Sequence, residues 1–149
     1  MSLVTESIGL ASYQISLSVN RGQRAFNDLL SLCLKHNDLT VPQWSILGQL
    51  YSTGAMRPHT IAKEIGVKPP FASTVLQQLT QNSYIEATMC PDDERGKEVQ
   101  LTDKGTAKVE SVEKKLVVCI DEQLGDLATA DLQNFFSVSN YMAANVRHK

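Results

Sequence analysis

The sequence predicts a mainly α-helical chain carrying one small β-hairpin, and three observations lead there. Apolar residues recur at helical spacing in several separate stretches of the 149 residues. The segment Ile85 to Cys90 and the run through Val99 and Leu101 alternate with period two instead, and Pro91-Asp92-Asp93-Glu94-Arg95-Gly96 between them is turn chemistry. Two short helical patterns joined by a turn at Gly66 stand immediately before that hairpin.

The first helical stripe covers residues 8–36. Ile8, Ile15, Gly22 and Leu29 are seven apart, and Val19, Phe26 and Cys33 follow three of them by four. Such a heptad-like seam is longer than a small core needs and suits a partner helix. Gly22 weakens the helix but permits close approach.

After His36-Asn37-Asp38 a second helix begins at Thr40, with Gln43 placed to complete a capping box and with Leu39 and Trp44 placed as a hydrophobic staple. Its expected buried face is Trp44, Leu47, Leu50 and Tyr51. A third helix fits Pro58 to Ile65, with Ile61, Ala62 and Ile65 inward and Gly66 as its stop. Pro69 and Pro70 open a fourth, because proline suits the first helical turn. Ala72, Val75, Leu76 and Leu79 form its inner face, and Lys68, Pro70, Phe71, Ser73, Thr74 and Gln77 lie outward.

In the hairpin, Ile85, Ala87 and Met89 share one side, and Glu86, Thr88 and Cys90 the other. Thr102 or Asp103 caps a long amphipathic helix reaching about Leu127, with Val109, Val112, Leu116, Ile120 and Leu124 inward. A last helix from Thr129 or Asp131 carries Leu132, Phe135, Phe136, Met142 and Val146. Helix, turn, helix and hairpin in that order make a winged helix-turn-helix over residues 37–105. The terminal segments 1–36 and 106–149 carry spare apolar surface, and the simplest packing joins them as a dimerisation platform continuous with the rest.

Composition narrows the function. A hydrophobic content of 42% is that of an ordinary soluble domain. No run of about 18 apolar residues would span a membrane, and the first residues lack a signal-peptide layout, so a cytoplasmic protein is expected. A net charge of −2 argues against a general polyanion binder. The whole acidic excess lies after residue 108, where six acids face four bases. The centre is balanced, leaving Arg57, Lys63, Lys68, Arg95, Lys97, Lys104 and Lys108 for phosphates if the fold gathers them.

Cys33, Cys90 and Cys119 are odd in number and far apart, and with His36, His59 and His148 they form no metal-ligand spacing. They read as reduced thiols, two of them on helix core faces. The competing reading is an oxidation sensor, with Cys90 on the polar side of the hairpin as the exposed thiol. No paired carboxylates, nucleophile–base set or glycine-rich phosphate loop indicates an enzyme, and no cofactor is expected.

The string Asp93-x-Arg95-Gly96-x-x-Val99-x-Leu101-Thr102-x-x-Gly105 resembles the wing signature of the MarR family of transcription regulators at each fixed position. Leu39-Thr40, Trp44, Leu47, Ile61-Ala62, Gly66-Val67, Leu79 and Ile85 fall at that family's spacing, so the resemblance covers residues 39–127. It implies a homodimeric, ligand-responsive repressor whose two recognition helices enter successive major grooves of a near-palindromic operator, about 34 Å apart. It also implies that Arg95 enters a minor groove, where a guanidinium meets the negative potential of a narrow A·T-rich tract. Asp93 would fix that tip.

On the fourth helix Thr74 and Gln77 share a face, and glutamine can bind adenine through two hydrogen bonds. Phe71 is placed either on thymine methyls or in the core. Family members often carry a basic residue on this helix. Here the face has only Lys68, so Arg95, Lys97, Arg57 and Lys63 are expected to carry the phosphate contacts, with modest affinity or A·T preference. The family also implies a small phenolic or aromatic effector between platform and reading unit, for which Trp44 and Tyr51 are the candidate pocket residues. Its oxidant-sensing members carry a cysteine near the start of the first helix, and this chain has none before Cys33. The competing function is a winged-helix protein-interaction module that binds no DNA.

Overall fold

The structure is a computed structural model and describes residues 9–90 and 93–146, with the side chains of 93–95 excluded. Six helices and one two-stranded antiparallel sheet follow the order α1 (Ser12–Leu34), a 3-10 turn (Lys35–Asn37), α2 (Val41–Thr53), α3 (Pro58–Glu64), α4 (Pro69–Gln81), β1 (Ile85–Cys90), β2 (Asp93–Leu101), α5 (Asp103–Leu124) and α6 (Thr129–Asn145).

Each boundary has a local cause. The α2 capping box forms in full: Gln43 N donates to Thr40 Oγ1 at 3.4 Å, and Thr40 N donates to Gln43 Oε1 at 2.9 Å. Prolines occupy the first turns of α2, α3 and α4, where their missing N–H leaves nothing unpaired. The α3–α4 turn needs Gly66 at φ +71°, a conformation that costs glycine little. Thr102 caps α5 by accepting from Gly105 N at 3.0 Å.

One core holds these elements together. Leu34 from α1, Ile46, Leu47 and Leu50 from α2, and Ile61 from α3 meet Val75, Leu76 and Leu79 from α4. Ile85 and Val99 close it from the hairpin, and Val109, Val112 and Leu116 from α5. The inward face expected of α4, Ala72, Val75, Leu76 and Leu79, is buried throughout. The two residues of the staple, Leu39 and Trp44, also join the core.

Several expectations are corrected. Tyr51 is 50% exposed, and the buried positions of α2 are Gln43, Ile46, Leu47 and Leu50. α5 ends at Leu124, and Ile65 lies just past α3 and is only half-buried. Helix α1 starts at Ser12; the expected stripe position Ile8 lies outside the described residues.

The hairpin departs from strict alternation. β2 reaches back to Asp93, so residues expected to turn are strand. Met89 pairs with Lys97 but Cys90 with Asp93, so a bulge on β2 absorbs the extra residues. Burial falls on Ile85 and Cys90, while Ala87 and Met89 are exposed. Only the root of the hairpin reaches the core, so the apolar side of its outer half meets solvent. β2 is tied down on its other edge by Met56: Met56 N donates to Val99 O at 3.0 Å, and Val99 N to Met56 O at 2.8 Å.

The thiols are also corrected. Cys33 and Cys119 form a disulfide joining α1 to α5, with Cα atoms 6.0 Å apart. Distance along the chain hid a contact that two crossing helices make. Cys90 is buried, not exposed: Arg57 Nη2 donates to its Sγ at 3.4 Å, and the thiol faces Glu98 Oε1 at 3.5 Å.

Candidate nucleic-acid interface

The exposed side of α4 is the centre of the candidate surface. Four buried apolar residues fix the rotation of this helix, so Lys68, Pro70, Phe71, Ser73, Thr74 and Gln77 all face outward. Phe71 is 48% exposed, which resolves its two placements in favour of the surface. Thr74 Oγ1 donates to Pro70 O at 3.2 Å, so its proton is used within the helix. Its methyl group and oxygen lone pairs are what it offers outward.

Two bonds set where this helix sits. In its last turn, Gln78 Oε1 accepts from Gln43 Nε2 at 3.1 Å, tying α4 to the start of α2. At its C-terminal end, Lys104 Nζ donates to Asn82 O at 2.8 Å, a cation on the negative end of the helix. Lys104 and Lys108 also stand over the Tyr84 ring, 5.1 and 5.7 Å from its centroid. Both lysines therefore also brace the root of the hairpin.

The hairpin leaves from the same joint. Ser83 takes φ +59°, and its carbonyl accepts from Thr102 Oγ1 at 2.7 Å. Thr102 N donates to Tyr84 O at 3.1 Å. The exit of α4, the foot of both strands and the start of α5 thus form one hydrogen-bonded knot. A wing built on it keeps a fixed attitude to α4.

The other candidates distribute as follows. Lys97 is exposed on β2 and Lys63 on α3. Arg57, at the N-cap of α3, is half-buried and directs a guanidinium nitrogen to Cys90, so it serves the wing as well as the surface. The backbone of Arg95 belongs to β2, while its side chain, like that of Asp93, lies outside the described residues.

Trp44 and Tyr51 line one cleft between α2 and α5, of about 450 Å³, together with Gly48, Val109, Glu110, Glu113 and Lys114. Tyr51 Oη donates to Glu110 Oε1 at 3.2 Å. The Glu110 charge, then that hydrogen bond, then slight burial hold the Tyr51 phenol above its ordinary value of 10. Among the described residues no group of three or more His, Cys, Asp or Glu could hold a metal, and no helix is long and apolar enough to cross a membrane.

Sequence reasoning missed the Gln43–Gln78 bond, the Lys104 cap, the Met56 bridge and the disulfide. Each joins residues distant in sequence, and no local pattern marks them. Gln77 and Gln78 are both exposed, and they differ in that the helix turns Gln78 toward Gln43.

Comparison with known proteins agrees with this geometry. The MarR family model matches residues 39–97, the span from the α2 cap into the wing. The uncharacterized HTH-type transcriptional regulator YwoH of Bacillus subtilis is 28% identical over 93 residues, 62% of this chain and 67% of its own length. A mutant MarR from E. coli complexed with operator DNA superposes with a TM-score of 0.75 at 19% identity, covering 95% of this chain and 99% of that one. Bordetella bronchiseptica BpsR, whose DNA binding is regulated by 6-hydroxynicotinic acid, gives 0.74 at 20% identity, covering 87% and 98%. The chain is thus similar to the MarR family over residues 39–97 and shares the winged-helix fold of solved MarR structures.

Proposed function

We propose that this chain is a homodimeric, ligand-responsive repressor that binds a near-palindromic operator in the cytoplasm. The observation that carries the reading is α4, whose one face is wholly buried while the other presents Lys68, Pro70, Phe71, Ser73, Thr74 and Gln77 beside a wing braced at its foot. A helix held that way can lie in a major groove with Thr74 and Gln77 on base edges and Lys68 on a phosphate. Lys97 and Arg95 of the wing, with Lys63 and Arg57 of α3, supply the remaining cationic contacts.

Homodimerisation is supported by what the single chain leaves uncovered. α6 buries none of its residues, and Phe135, Phe136, Val138 and Tyr141 are each more than half exposed. On α1, Tyr13, Leu17, Val19, Phe26 and Leu32 are exposed too. Apolar surface on this scale marks an interaction face. The segments 1–36 and 106–149 act as the dimerisation region, and 37–105 as the reading unit. The Trp44–Tyr51 cleft then lies where the two regions adjoin and would take a small aromatic effector, a role that the regulation of BpsR by 6-hydroxynicotinic acid supports by analogy.

Fluorescence anisotropy on duplexes selected from a random pool, with salt varied, tests the reading. Arg95→Ala should weaken binding and flatten the salt dependence by about one unit, as loss of one phosphate-type contact requires. A chain that enriches no duplex even at low salt would instead be a protein-interaction module.

A further inference from the structure

We propose that the Cys33–Cys119 disulfide is a thiol-exchange site that controls how firmly α1 is fixed to the DNA-reading unit, and thereby the affinity for DNA; this rests on the reading proposed above. Cys33 is the next-to-last residue of α1 and Cys119 lies in the last third of α5. They are 86 residues apart in sequence, and the loop their bond closes contains α2, α3, α4 and both strands. α1 itself buries only Cys33 and Leu34. Its attitude to the rest of the chain is therefore set largely at this one joint.

The joint has a second, non-covalent fastening. Lys115, one turn before Cys119 on α5, donates from Nζ to Asn37 Oδ1 at 3.2 Å. Asn37, 5% exposed, donates from Nδ2 to the Cys33 carbonyl at 3.2 Å. Opening the disulfide leaves this clasp and the Leu34 contact in place, so the joint loosens without the helix detaching.

The chemistry is ordinary exchange with a small thiol such as glutathione. Cys33 is buried and Cys119 half-buried, so the incoming thiolate attacks Cys119 Sγ. The S–S bond breaks, Cys33 leaves as a thiolate and takes up a proton, and Cys119 holds the mixed disulfide. A second glutathione thiolate attacks the glutathione sulfur of that mixed disulfide. This releases oxidised glutathione and the Cys119 thiolate, which is then protonated; the reverse sequence, driven by oxidised glutathione, recloses the pair. A DNA-binding protein works in a thiol-reducing compartment, where disulfides are characteristically transient or sensing rather than structural. Cys90 takes no part: it is buried on the wing between Arg57 and Glu98. With the joint closed, the spacing of two reading units in a dimer is pre-organised. With it open, binding must order the joint first, which lowers affinity.

The test uses the purified full chain equilibrated in glutathione buffers of graded oxidation. Alkylation under denaturing conditions should count one free thiol in the oxidised chain and three in the reduced one. On a duplex selected by the oxidised chain, the reduced chain should bind about three- to tenfold more weakly and recover on reoxidation. Cys33→Ser/Cys119→Ser should bind like the reduced chain in every buffer, and Cys90→Ser should keep the full response. A pair that never exchanges, equal affinity in both states, or tighter binding by the reduced chain overturns the proposal while leaving the DNA-binding reading intact. A chain that enriches no duplex in either state overturns both.

Discussion

Gln43 Nε2 donates to Gln78 Oε1 across 3.1 Å, so the residue that closes the α2 capping box also holds the helix that carries the candidate base contacts. Its carboxamide oxygen accepts from Thr40 N while its nitrogen reaches α4, and the side chain is only 8% exposed. One amide thus fixes the start of one helix and the position of another.

Gln43→Ala should therefore cost more than a cap alone, about 1–2 kcal/mol of unfolding free energy. Gln78→Ala, which removes only the strut, should cost about 0.5–1 kcal/mol. A double-mutant cycle by chemical denaturation should show coupling of at least about 0.5 kcal/mol. Additive losses would mean that the two side chains act independently.

Reducing the disulfide should lower stability as well as rigidity. Closing a loop that spans 86 residues contributes up to about 4–5 kcal/mol by restricting the unfolded chain, where disulfides typically give about 2–4 kcal/mol. Urea midpoints of the oxidised chain, with and without reductant, measure it directly. Coincident midpoints would show that the bond constrains nothing.

Gly105→Ala should be among the most damaging single changes. An added Cβ would overlap the Tyr84 carbonyl and stand 3.2 Å from Leu101 Cδ2. Backbone on both sides of the clash is held by the Thr102 bonds, so relief requires the wing root to move. A loss of about 2–4 kcal/mol is expected, read from thermal or urea unfolding.

Gln77→Ala should weaken binding to the selected site by about 1–3 kcal/mol and relax the preference at one base pair. Lys97→Ala should weaken binding uniformly across sequences and lower the salt slope by about one. Competition anisotropy with substituted duplexes separates the two. A uniform effect for Gln77 would remove it from base contact.

Tyr51 supplies a pH test of the cleft. Glu110 raises its pKa, so the folded state keeps a proton that the unfolded chain loses near pH 10. Stability from this pair is present below pH 10 and is lost as pH rises through the folded value. Difference absorbance should place one of the four tyrosines above the ordinary range, and Glu110→Gln should bring it back. An unchanged titration would mean that the hydrogen bond does not persist in solution.

The helices, their caps, the hairpin and the outward face of α4 were legible in the residues, because each depends on neighbours within one or two turns. Periodicity alone identified Ala72, Val75, Leu76 and Leu79 as inward. It failed for Tyr51, which sits one residue beyond the last buried turn of α2 and looks across a cleft at α5. It failed again in the outer hairpin, where alternation sorts side chains to two sides but does not say that either side is covered. For the candidate interface, the sequence marked which residues face out on α4 but not what holds that helix in place.

By itself the sequence determined the order of elements and the outward face of α4, since capping, proline placement and apolar spacing act locally. Only the tertiary structure decided that Cys33 meets Cys119, that Cys90 is enclosed by Arg57 and Glu98, and that Lys104 closes the end of α4. Those pairings depend on where whole helices cross, which is set by packing around a shared core and leaves no trace in the spacing of the residues that meet.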